Sequence, residues 1–74
     1  MPDVVLDCRG MRCPRSIVEM AKKMRNMEPG QTLELWATDQ VALHDVPAWC
    51  QKTGNPLSSQ EQEGELLKFF VKKA

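Results

Sequence analysis

Cysteine is the strongest nucleophile available to this chain, and one of its three cysteines has an unusual setting. The segment Gly10-Met11-Arg12-Cys13-Pro14-Arg15-Ser16 leads directly into a stretch that is apolar at helical spacing. Proline is favoured at the first helical position, because its ring presets φ and its missing N–H costs nothing there. That makes Cys13 the expected N-cap residue, with unpaired backbone N–H groups and the positive end of the helix dipole aimed at its sulfur. A thiol so placed ionises more readily, and the thiolate is the reactive form. Arg9, Arg12 and Arg15 add positive charge that would stabilise a thiolate or an anionic sulfur species carried on it. Ser16 offers a hydroxyl close to the cap. The plainer reading of the same residues is an ordinary helix start with a solvated basic patch, and composition alone leaves both open.

The other candidate groups point less clearly to chemistry. Cys8 lies five positions before Cys13, which is not the Cys-x-x-Cys spacing of dithiol redox proteins. It reads as structural, with a resolving or protective thiol as the alternative. A disulfide to Cys13 would need the loop to bring the α-carbons within about 7 Å. Cys50 follows Trp49 on the expected inner face of a helix and reads as core. A zinc site from Cys8, Cys13, His44 and Cys50 can be written down, but it lacks the close pair spacing of structural zinc sites. Met20, Met24 and Met27 read as core and rim, with an adaptable docking face as the alternative. Glu61, Glu63 and Glu65 read as a solvated hairpin end. No phosphate-binding glycine loop or paired carboxylate site is present.

These residues must be held by a small set of elements. Val4-Val5-Leu6 begins a strand over about residues 3–8, followed by the Arg9-Gly10 loop. From Pro14 to Met27, Ile17, Met20, Ala21 and Met24 share a helical face, flanked by Val18 and Met27. Glu28-Pro29-Gly30 ends that helix. Thr32 to Ala37 alternates, with Leu33, Leu35 and Ala37 on one side and Glu34 and Trp36 on the other, which predicts a strand. Thr38 and Asp39 offer caps for a second helical region. Pro47 predicts a kink there, or a restart capped by Asp45. Val46, Trp49, Cys50 and Thr53 would share its inner face, His44 would lie on its surface, and Gly54 would end it. Pro56 to Gln62 is polar and reads as an edge strand, Gly64 as a turn, and Leu66 to Val71 as the final strand. The expected order is βαβαββ: an α/β (α+β) two-layer sandwich with two helices on one face of a four-stranded mixed sheet. The first two strands should be parallel and the last two antiparallel. Strand order across the sheet is not readable from this pattern.

Size and charge narrow the function classes. Seventy-four residues make one small domain, expected over 1–74, that buries only about 60% of its unfolded surface. Ten basic and ten acidic side chains cancel, which argues against a polyanion binder held by net charge. No signal peptide or membrane-spanning run is expected, and an odd number of cysteines does not suit a disulfide scaffold. The expected setting is the reducing cytoplasm.

Several segments together resemble the TusA (SirA-like) sulfur-carrier family: Leu6-Asp7-Cys8-Arg9-Gly10-Met11-Arg12-Cys13-Pro14, Met27-Glu28-Pro29-Gly30, Ala37-Thr38-Asp39, Asp45-Val46-Pro47-Ala48-Trp49-Cys50 and Lys52-Thr53-Gly54-Asn55. The family's βαβαββ order is the one read above, and its fold resembles the C-terminal domain of translation initiation factor three. The resemblance implies that Cys13 accepts sulfane sulfur as a persulfide, or in some relatives a thiosulfonate, and passes it on without a cofactor or metal. It implies cysteine desulfurases or rhodaneses as donors and DsrE-like proteins as acceptors, in tRNA thiolation or sulfur oxidation. The family motif is Cys-Pro-x-Pro; here Ser16 replaces the second proline, a change that bears on partner recognition more than on the thiol. Two other classes stay open: a thiol redox sensor using Cys8 and Cys13, and a small RNA- or protein-binding module, which the zero net charge disfavours.

Overall fold

The computed structural model describes residues 2–12 and 15–74. Their elements follow the order β1 (Val4–Cys8), α1 (Arg15–Arg25), β2 (Thr32–Ala37), α2 (Ala42–Thr53), β3 (Leu57–Glu63) and β4 (Leu66–Lys72). The sheet order is β1-β2-β4-β3. β1 and β2 are parallel, whereas β2–β4 and β3–β4 are antiparallel, so the sheet is mixed, as the pattern implied.

The strand order follows from which sequences can be covered on both flanks. β2 and β4 supply Leu33, Leu35, Ala37, Leu67, Phe69 and Val71, all fully buried, and they occupy the centre. β3, which carries Ser58, Ser59, Gln60, Glu61 and Gln62, is exposed along nearly its whole length and lies at an edge. Polar side chains on an edge also blunt its tendency to pair with another chain.

Both helices bury their stripes in one core. Met20 and Met24 of α1, together with Ala42, Val46 and Cys50 of α2, join the central strand residues in a single cluster. Each large side chain taken fully out of water there contributes roughly 1.5–3 kcal/mol. The α1 stripe is turned from the expected one: Ser16, Met20, Met24 and Met27 are buried, Ile17 is half-buried, and Val18 is 47% exposed. A serine was not counted as apolar, yet its small side chain lets that side of the first turn pack inward. The burial of all three methionines removes them as a docking face.

Two helix boundaries differ from expectation. α1 ends at Arg25 because the next residues tighten, with Asn26 N–H bonding Lys23 O at 3.2 Å and Met27 N–H bonding Met24 O at 3.1 Å. α2 does not restart at Asp45; it is one helix with Pro47 inside it. It is entered through tight turns, Ala42 N–H to Asp39 O (3.0 Å) and Leu43 N–H to Gln40 O (3.1 Å). The Asp39 carboxylate accepts the Val41 N–H at 3.0 Å. Gly54, at φ 81°, closes the helix with its N–H on Cys50 O, as its position suggested. Thr53 is exposed rather than inward, with its hydroxyl donated to Trp49 O at 2.8 Å.

Candidate functional site

Cys13 and Pro14 lie outside the described residues, so the expected cap at Cys13 and helix start at Pro14 do too. The residues on either side define the site. β1 and β2 run parallel, so both deliver their chains to the same end of the sheet. β1 leads there into the loop that carries Cys13, and β2 leads into the Thr38–Val41 entry of α2.

The loop before Cys13 is tied down residue by residue. Arg9 bonds the Asp7 carboxylate three times: Nε to Oδ1 at 2.9 Å, Nη2 to Oδ2 at 2.8 Å, and the backbone N–H to Oδ1 at 3.1 Å. Gly10, in the left-handed region at φ 82°, donates its N–H to the Thr38 hydroxyl at 2.9 Å. The Met11 N–H bonds Cys8 O at 3.1 Å. Beyond Pro14, Arg15 N–H bonds Arg12 O at 2.8 Å, bringing the chain into α1.

The three arginines occupy different surroundings. Arg12 and Arg15 are exposed, and neither forms an ion pair among the described residues. Arg9 is paired with Asp7 and lies over the Trp36 ring, 5.1 Å from its centroid. The Arg9 side-chain hydrogen bonds, followed by its backbone N–H, hold the Asp7 carboxyl at about 2, below the ordinary 3.8; the same pairing raises Arg9. Much of the Arg9 charge is therefore offset locally.

The remaining candidates are interior. Ser16 is fully buried in the first turn of α1. Cys8 is fully buried at the end of β1, and Cys50 is buried on α2. Burial pushes the Cys50 thiol up to about 11 from 9.0. His44 is exposed, with Nδ1 3.2 Å from Asp45 Oδ1. No group of three potential metal ligands forms among the described residues. The described residues enclose no pocket either. No helix is long and apolar enough to cross a membrane among the described residues.

Trp36 and Thr38 were not among the sequence candidates, although both brace this loop. The outward phase of Trp36 was visible in the β2 alternation. Its place beside Asp7 depends on the parallel register that pairs those two residues.

Comparisons with known proteins identify the family. The family model for sulfurtransferase TusA matches residues 4–73. "Putative sulfur carrier protein YrkI" of Bacillus subtilis is 45% identical over 71 residues, covering 96% of this chain and 95% of that protein. "Putative sulfur carrier protein YrkF" of the same organism is 40% identical over 70 residues, covering 95% of this chain but only 38% of the longer relative. The crystal structure of a SirA-like protein from Desulfitobacterium hafniense superposes with a TM-score of 0.80 at 13% identity, covering 93% of this chain and 95% of that one; at that identity it speaks for the fold. With the family match running through every element and the Cys-Pro junction, the chain belongs to the TusA sulfur-carrier family.

Proposed function

We propose that this chain is a cytoplasmic sulfur carrier that accepts sulfane sulfur on Cys13 as a persulfide and hands it to a partner protein. The observation that carries the reading is the family match over residues 4–73, which includes the Cys13-Pro14 junction. The burial of Cys8 and Cys50 supports Cys13 as the working thiol. The Cys13 thiolate attacks the terminal sulfur of a donor persulfide. A new S–S bond forms at Cys13 as the donor's S–S bond breaks, and the electron pair leaves on the donor's thiolate. The terminal sulfur keeps its proton, and there is no net oxidation. Delivery is the same exchange, with an acceptor thiolate attacking the Cys13 persulfide. Such a chain is a covalent shuttle with little turnover alone. Pro14 starts the helix behind the thiol, and Arg12 and Arg15, which have no ion pair among the described residues, supply positive charge nearby.

By family resemblance the donors are a cysteine desulfurase or a rhodanese, and the acceptors are DsrE-like proteins. The pathways served are tRNA thiolation or sulfur oxidation, with thiosulfonate as the alternative cargo. The test is intact-mass measurement after incubation with a desulfurase and cysteine, or with a rhodanese and thiosulfate. We expect a reductant-labile gain of sulfur that maps to Cys13 and is absent from Cys13→Ala. No adduct from either donor would refute the reading. An efficient, reversible Cys8–Cys13 disulfide formed in its place would favour the redox-sensor reading.

A further inference from the structure

The sheet face opposite the helices carries Trp36 with two cations over its ring. Arg9 lies over its ring at 5.1 Å from the centroid, and Lys68 at 5.7 Å. The register explains the grouping: Asp7 is the β1 neighbour of Trp36, and Lys68 is its β4 neighbour. The indole N–H is donated to the Glu34 carboxylate, which orients the ring. Two bonds from Nε and Nη2 to the Asp7 carboxylate orient the Arg9 guanidinium in turn, and the Arg9 backbone N–H adds a third to the same group. Arg9 is thus anchored to β1 and to the open face of β2. Gly10 is held by Thr38 and Met11 by Cys8, so three consecutive residues have separate anchors. Cys13 follows two positions after Met11.

We propose that Trp36 and Asp7 are positioning residues for the sulfur-bearing thiol. They hold Arg9, and Arg9 sets the path of the loop that delivers Cys13. The inference rests on the carrier reading above. Sulfur exchange between two proteins needs the reacting atoms aligned at about 3–3.5 Å within one docked geometry. A small reagent approaches from any direction and needs no such alignment. Loosening the clamp therefore costs transfer between proteins and spares the intrinsic reactivity of the thiol. In this arrangement Arg9 acts through geometry, because Asp7 offsets its charge at 2.8 Å.

The test uses the full chain with Trp36→Ala, Trp36→Phe and Asp7→Asn. Three quantities are measured: the rate of sulfur transfer from a desulfurase or rhodanese persulfide, the iodoacetamide alkylation rate of Cys13 across pH, and the thermal midpoint. Trp36→Ala and Asp7→Asn are expected to slow transfer about tenfold, with alkylation on its high-pH plateau within about twofold of the parent. Trp36→Phe, which keeps a flat ring beneath Arg9, is expected to return transfer to within about threefold of the parent. Transfer at the parental rate in Trp36→Ala and Asp7→Asn overturns the proposal, and so does Phe behaving no better than Ala. Alkylation falling in step with transfer also overturns it, since the residues would then govern reactivity rather than presentation. If Trp36→Ala does not fold, the half-exposed Asp7 carries the test, with Asp7→Glu as its conservative partner. A parent chain that takes up no sulfur overturns the carrier reading and this proposal with it. A parent that loads normally beside unaffected variants overturns the proposal alone.

Discussion

Of the three thiols of this chain, two have an environment that sets their chemistry. Cys8 and Cys50 are taken out of water by the core, and burial moves the Cys50 thiol up to about 11. We expect brief alkylation of the native protein at pH 8 to label Cys13 alone, with Cys8 and Cys50 reacting only after denaturation; peptide mass mapping reads the result. Because Cys50 titrates higher in the folded state than its ordinary 9.0, its contribution to stability is complete below pH 9 and is lost as pH rises through about 11. A urea midpoint that falls over that window, and falls less in Cys50→Ala, is the expected outcome. Asp7 has the opposite sign. Its folded value of about 2 lies below 3.8, so the contribution of its pair with Arg9 is present above pH 3.8 and lost as pH falls through about 2. An NMR titration of the Asp7 carboxyl carbon should therefore show a midpoint well below those of ordinary carboxylates.

At the scale of elements, periodicity located every strand and helix, and the misreadings came from residues whose environment overrides their type. Ser16 is polar but buried, which turned the α1 stripe toward it and left Val18 outside. Pro47 is a helix breaker that sits inside α2, held there by Ala42, Val46 and Cys50 packed on the sheet. An interior proline costs a helix about 3 kcal/mol, while its stiffening of the unfolded chain returns only about 0.4–1 kcal/mol. Pro47→Ala is thus expected to raise stability by about 2 kcal/mol, less whatever packing the half-buried ring supplies; urea unfolding measures it. Met20 tests the same core from the other helix. Met20→Ala should cost about 2–5 kcal/mol, against a total of roughly 4–11 kcal/mol for a domain of this length. We expect that variant to be partly unfolded at 37 °C by circular dichroism.

At the scale of the whole molecule, balanced charge sets how the surface meets its surroundings. Ten basic and ten acidic side chains predict no retention on heparin at physiological salt. Retention that survives such salt would bring back the nucleic-acid-binding alternative. The residue types and their spacing determined by themselves the βαβαββ order, the edge character of β3 and the apolar interior, because each is set by neighbours within a few positions. The tertiary structure decided what distant segments share. The β1-β2-β4-β3 order could not be read locally, since nothing within β2 says that β4, some thirty residues later, lies against it. The same holds for the brace on the Cys13 loop. Asp7 and Arg9 are neighbours in any extended chain, but Trp36 and Thr38 reach them only once the parallel register brings the ends of β1 and β2 together.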